Sequence, residues 1–177
     1  MRKLLIAALL LAAPACKRAK VHHVDTVEEA AAPAAPVALA SSVQMGDRTM
    51  AKQLAGGFYD IESDAWRWTA QKFAVNLHPP ARSAQQEAVL EFHFTVPPPT
   101  IQKLGSITLS ASAGGAALAP ETYSRPGEYT YKRDVPANAL TGDAVRIDFQ
   151  LDKAIPPGDV DKRELGVVAS SVALVAK

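Results

Sequence analysis

The sequence predicts an all-β domain, a two-layer antiparallel sandwich of jelly-roll type, carried behind an export signal and an Ala/Pro-rich tether. Three observations predict it. Beyond residue 56 apolar and polar residues alternate with a period of two in one short stretch after another. Thirteen prolines and ten glycines among 177 residues punctuate those stretches, and no long helical pattern lies between them. The chain also opens with a charged, then apolar, then small-residue run, which is processing chemistry rather than fold. Immunoglobulin-like topology is the alternative, although a single cysteine cannot supply its paired cysteines.

Residues 1–15 read as a signal peptide. Arg2 and Lys3 form its charged start, Leu4 to Ala13 its apolar run, and Pro14-Ala15-Cys16 its end. The run is too short to span a bilayer unaided. Cys16, the only cysteine, falls where a lipoprotein signal places its lipid acceptor, with Ala13 standing where such signals usually carry Leu. The expectation is a lipid-anchored, exported protein of the cell envelope. Lys17 after the acceptor fits passage to an outer membrane in a two-membrane bacterium. Ala13 and Ala15 also satisfy a small-x-small cleavage rule, so a soluble periplasmic or secreted protein is the alternative.

Residues 16–45 are expected to be a disordered tether, because the Ala, Pro, Val and Ser of Glu28 to Ser42 offer too little patterned apolar surface to fold. His22-His23 within it has no second shell to support a metal. The domain is placed at 46–177. Ser42 to Ala55 is expected to be a short helix or irregular.

Strands follow. Phe73, Val75 and Leu77 share one face of the first clear one, which His78-Pro79-Pro80 stops. Leu90, Phe92, Phe94 and Val96 form the best apolar stripe, and Pro97-Pro98-Pro99 ends it. Ile107, Leu109 and Ala111 alternate with small polar residues up to Gly114-Gly115, a hairpin turn leading to Ala116 to Ala119. Tyr129 and Tyr131 face together. Val145, Ile147, Phe149 and Leu151 alternate with Arg146, Asp148, Gln150 and Asp152. The last strand is expected over about 164–176, with a change of phase that needs a bulge or burial on both sides.

Charge excludes some partners. Nineteen basic against 18 acidic residues leave +1, with no basic stripe for nucleic acid and no support for a polyanionic ligand. Chemistry is not visible either. His78 and His93 lie in no metal-ligand spacing and beside no nucleophile, and no Gly-rich phosphate loop occurs, so neither catalytic residues nor a cofactor are expected. Asp60, Glu62 and Asp64 alternate as calcium ligands do but lack the glycine and distant glutamate of a calcium loop, so a solvated turn is the default.

Trp66 and Trp68 project from one side of a strand and Arg67 and Thr69 from the other. Stacked sugar rings would suit the indoles, but core packing is expected for at least one of them. Asp161, Arg163 and Glu164 offer a fork of donors beside carboxylates, either to orient a ligand or to tie the last loop to the first strand. Tyr59, Tyr123 and Tyr129 complete the candidate ligand-binding residues. The stretches Trp66-Arg67-Trp68-Thr69 and Asp161-x-Arg163-x-Leu165-Gly166-Val167 resemble β-sandwich domains appended to bacterial glycosyltransferases and cell-surface polysaccharide enzymes. The resemblance covers about residues 56–175 and implies an ancillary, carbohydrate-associated module, here with no transferase or hydrolase domain attached. Terminal strands of such jelly rolls often share a sheet, so the last strand is expected beside the tryptophan strand, with Arg67 near Asp161 or Glu164. The functional expectation is a non-enzymatic binding or assembly module of the envelope, with a glycan as preferred ligand and an envelope protein as alternative partner.

Overall fold

A computed structural model describes residues 38–83 and 85–177. The expected signal peptide, Cys16, the His22-His23 pair and most of the expected tether lie outside the described residues. The chain divides into two units, Met1–Ala35 and Pro36–Lys177, and only the second is described.

Nine strands follow the alternation: β1 (Ser42–Gln44), β2 (Leu54–Glu62), β3 (Trp66–Leu77), β4 (Ala88–Val96), β5 (Ile107–Ala113), β6 (Ala116–Tyr123), β7 (Gly127–Val135), β8 (Val145–Leu151) and β9 (Val168–Ala176). All pair antiparallel. One layer runs β1-β9-β4-β7 and the other β3-β8-β5-β6, with β2 added beside β3. After β3 every connection except the β5–β6 hairpin crosses from one layer to the other, which is jelly-roll connectivity. The predicted fold class is the observed one.

The two layers join through β3. Arg67 pairs with Ile61 on one side and Ala169 on the other; further along, Ala74 pairs with Gly56 on one side and Asp148 on the other. β2 pairs with one edge of β3 from Trp66 to Thr69 and again at Ala74 and Val75, and β9 and β8 divide the opposite edge between them. The expectation that the last strand lies beside the tryptophan strand is met here, at Trp68 opposite Val168.

On the far side the edges of β6 and β7 meet through side chains. The register jumps from Leu109 opposite Glu121 to Ala111 opposite Leu118, so Ala119 and Pro120 bulge from the ladder. Their carbonyls are then taken from β7: Tyr131 Oη and Arg133 Nε each donate to Ala119 O at 2.7 Å, and Arg133 Nη2 reaches Pro120 O at 3.2 Å.

Between the layers lies an aromatic centre. Phe73 from one layer and Phe92 from the other stand 5.6 Å apart by ring centroids, and Phe149 stacks on Phe73 at 5.0 Å and leans on Phe92 at 4.9 Å. Phe92 is fully buried. The change of phase expected in the last strand is a bulge at Ser170, since His93 opposes Ser171 and Phe94 opposes Ala169. The freed Ser170 carbonyl accepts Met45 N at 2.9 Å.

Two expectations need correction. The domain begins before residue 46, because β1 pairs with β9 and the side chains of Val43 and Met45 are buried in the core. The strand expected from 164 starts at Val168; before it Leu165 forms an isolated bridge with Ile155, and Gly166 and Val167 hydrogen-bond to the Thr69 backbone. The Pro97-Pro98-Pro99 run ends β4 as expected, and also starts a helix, α1 (Pro98–Leu104), since proline suits the first helical turn where no N–H partner is required.

Removing the Phe92 ring should cost about 3–5 kcal/mol as Phe92→Ala, and Phe92→Asp should abolish the cooperative unfolding transition. Circular dichroism during urea titration measures both; an unchanged midpoint in Phe92→Ala would contradict this account of the core.

Candidate functional site

Inward-facing Ile107, Leu109, Phe73, Val75, Ile147 and Phe149 force their neighbours outward, so β3, β8 and β5 present a polar outer face. Register places those neighbours in rows across it. Ser110, Gln150 and Lys72 form one row; Ser112, Asp148 and Ala74 form the next; Arg146 lies one row beyond, opposite Asn76. A groove of about 580 Å³ runs over these rows, floored by Ala74 and walled on the β2 side by Gly56 and Gly57. Its size falls within the range of small-ligand sites, roughly 300–1,000 Å³.

The glycine wall has a steric cause. Gly57 has φ +77°, and a Cβ there would collide with the Lys72 carbonyl and Phe73. A side chain at this position would push β2 away from β3 at the groove margin.

Inside the groove Arg146 Nε donates to Asp148 Oδ1 at 2.7 Å. Among the described residues no hydrogen bond within the chain engages the side chains of Lys72, Ser110, Ser112 or Gln150. This polar face is a candidate surface that residue-by-residue inspection missed. Its signal was present, as the serines of β5 and the Arg146/Asp148/Gln150 alternation of β8, but only register shows that they share one face.

The candidates named from sequence are distributed elsewhere. Trp66 and Trp68 are half-buried and Arg67 and Thr69 buried, so both indoles belong to the outer face and neither is in the core cluster, a correction to the expected core packing. They share the side of β3 that carries Lys72 and Ala74, and from Trp68 to Lys72 is roughly 13 Å along an extended strand. Arg67 turns inward, where Nε donates to Met45 O at 3.0 Å and Nη1 to Tyr59 O at 2.8 Å. Burial holds its pKa below the ordinary arginine value, offset in part by Asp60. Arg67 therefore does not pair with Asp161 or Glu164.

Asp161 and Arg163 do come together, with Glu62 and Tyr59. Arg163 Nε and Nη2 grip both oxygens of Asp161, at 3.1 and 2.9 Å, while Nη1 reaches Glu62 at 2.8 Å and the guanidinium lies 5.2 Å from the Tyr59 ring centre. Glu164 accepts the Gln71 backbone N–H at 2.8 Å. These groups spend their hydrogen bonds on one another and on the backbone, tying the last loop to β2 and β3. Tyr123 is buried, its ring 5.1 Å from Phe94 and 4.6 Å from half-buried Tyr129, so it is not the exposed stacking surface expected of it. Burial, then the nearby Glu121 charge, raises its hydroxyl pKa well above the ordinary tyrosine value.

Asp60, Glu62 and Asp64 do not converge on a cation. Glu62 pairs with Arg163 and Asp64 with Arg48, and among the described residues no three His, Cys, Asp or Glu side chains are arranged to hold a metal. His78 Nδ1 contacts Asp143 O and His93 Nδ1 contacts Thr130 Oγ1, each at 2.9 Å. Among the described residues no helix is long and apolar enough to cross a membrane.

No family model and no curated protein matches the chain. Among the solved structures similar to part of it is the crystal structure of dimeric latent PorU from Porphyromonas gingivalis, with a TM-score of 0.42 and 13% identity over 60% of this chain. The match covers 10% of PorU, so the chain spans a small part of that protein. The β-rich sandwich is the portion of the sequence resemblance seen in the structure.

The Arg163 hydrogen bonds, side-chain and backbone, hold the Asp161 carboxyl below its ordinary value of 3.8. A carboxylate with a depressed folded-state pKa contributes stability above 3.8 that is lost as the pH falls through the lower, folded value. Asp161→Asn should therefore flatten the acid limb of the stability curve below about pH 4 and leave the slope near neutrality unchanged. Urea midpoints across that range test it, and an acid limb identical to that of the parent protein would show that the contact carries no linkage.

Proposed function

We propose that the protein is a non-enzymatic binding module of the cell envelope, lipid-anchored through Cys16, with carbohydrate as its ligand class. The observation that carries the reading is the groove on β3, β8 and β5. Its hydroxyls, its amide and the Lys72 ammonium are unspent within the chain, and they are donors and acceptors that a polyhydroxyl ligand satisfies. Trp66 and Trp68 extend the same side of β3, giving a longer glycan an apolar surface beyond the groove.

The groove chemistry supports binding rather than turnover. Glycoside cleavage generally uses two carboxyl groups flanking the bond, whereas the groove lining contains one carboxylate, Asp148, already engaged by Arg146. A protein partner is the second reading, favoured by the outer edge of β2, which pairs with no strand among the described residues. That edge is broken by three register shifts, a device that discourages strand addition. The large apolar side chains exposed among the described residues are Val160 and Val175, which form no broad apolar patch.

A glycan array probed with the full exported chain should give a restricted set of saccharide signals. Ser112→Trp, which fills the groove, should remove them with the thermal midpoint unchanged. Signals that survive Ser112→Trp would move the site away from the groove, and a blank array with a defined protein recovered by pull-down would replace carbohydrate with the protein partner.

A further inference from the structure

We propose, on the basis of the carbohydrate reading above, that the ligand of the groove is an acidic saccharide, with a uronic-acid-type carboxylate held between Lys72 and Arg146. Two cations and one carboxylate line the groove, and 2 − 1 leaves a local charge of +1. Asp148 occupies only one nitrogen of Arg146. The terminal guanidinium nitrogens make no hydrogen bond within the chain, and Lys72 forms no ion pair, among the described residues.

Register sets where that charge gathers. Lys72 sits opposite Gln150 and Arg146 opposite Asn76, with the Ala74–Asp148 row between them. The two side chains start roughly 13 Å apart along the strand direction, a gap that two long side chains close from both ends. Asp148 draws the Arg146 guanidinium toward that middle row, so Asp148 is a positioning residue rather than a competing anion. Ala74, nearly buried and with only a methyl group, lies in that middle row among the groove's lining residues.

The chemistry matches a sparse carboxylate better than a dense polyanion. A carboxylate takes two parallel hydrogen bonds from the free guanidinium edge and a point charge from the ammonium. The ring hydroxyls that accompany it in a sugar acid meet Ser112 in the same row and Ser110 and Gln150 one row away. The whole-chain charge of +1 gives no long-range attraction for polyanions, so selectivity rests on this local arrangement.

The test uses the full chain and a panel of galacturonate, glucuronate and mannuronate oligosaccharides, each paired with its carboxyl-reduced neutral counterpart, titrated by calorimetry. At least one acidic oligosaccharide should bind about tenfold or more tightly than its reduced partner, and Lys72→Met or Arg146→Met should each erase about that factor. Neither variant should move the thermal midpoint. Equal binding of acidic and reduced sugars would overturn the acidic preference while leaving the carbohydrate reading intact. No binding to the panel, with neutral glycans positive on the array, would do the same; no glycan binding at all would remove both. Equal binding of dextran sulfate or a sugar phosphate would reduce the site to general anion attraction and overturn the carboxylate assignment.

Discussion

One edge of β3 is shared between two strands that belong to different layers, and the sandwich depends on that division. Arg67 and Trp68 pair with β9, while Lys72 to Leu77 pair with β8. Between these contacts the backbone is held by Thr69, whose N–H donates to Val167 O at 2.9 Å and whose Oγ1 accepts Val167 N at 3.1 Å. Gly166 permits this approach, since a Cβ there would stand 2.6 Å from Thr69 Oγ1 and 2.8 Å from Ala70 O. The Asp161-x-Arg163-x-Leu165-Gly166-Val167 stretch is thereby explained in structural terms. Its charged members clamp the loop to β2, and its glycine brings the chain against β3 where β9 starts.

The opposite side of the molecule solves the same problem without a continuous ladder. Two sheet edges, β6 and β7, would each expose unpaired backbone groups, a template for unwanted pairing. The bulge at Ala119-Pro120 turns two carbonyls toward β7, and the Tyr131 and Arg133 side chains occupy them. Pro120 has no N–H to offer a neighbouring strand. With the shared edge of β3 on one side and this seam on the other, the outer face of β3, β8 and β5 is where unspent polar groups collect.

Much of the fold was legible because burial imposes a period of two. The stripes Leu90-Phe92-Phe94-Val96 and Val145-Ile147-Phe149-Leu151 are buried as the alternation required, and the phase break in the last strand is the Ser170 bulge. The tryptophans show where this reasoning ends. Aromatic mass argues for the core and polar Arg67 and Thr69 for solvent, yet β3 takes the reverse phase. The buried guanidinium is satisfied by the Met45 and Tyr59 carbonyls and the buried hydroxyl by the Val167 N–H, partners supplied by distant segments. A polar group inside is costly only when it lacks such partners, and a linear pattern does not reveal them.

The same limit explains why the groove was not legible although its residues were. Charged side chains on an outer face are ordinarily a solvated surface, and nothing in β5 or β8 alone distinguishes Ser112 or Gln150 from that background. Register supplies the distinction by aligning them with Lys72 across three strands. A comparison with the Arg163 cluster shows what the alignment means. At that cluster each donor already has an acceptor within the chain, so the charges stabilise a loop and leave little for a ligand. In the groove the hydroxyls, the amide and the Lys72 ammonium have none, while Asp148 fixes the direction of Arg146. Sheet register gathers these polar groups on one face, and a ligand that engages them still has to order the long side chains of Lys72 and Gln150, a cost that its own contacts must exceed.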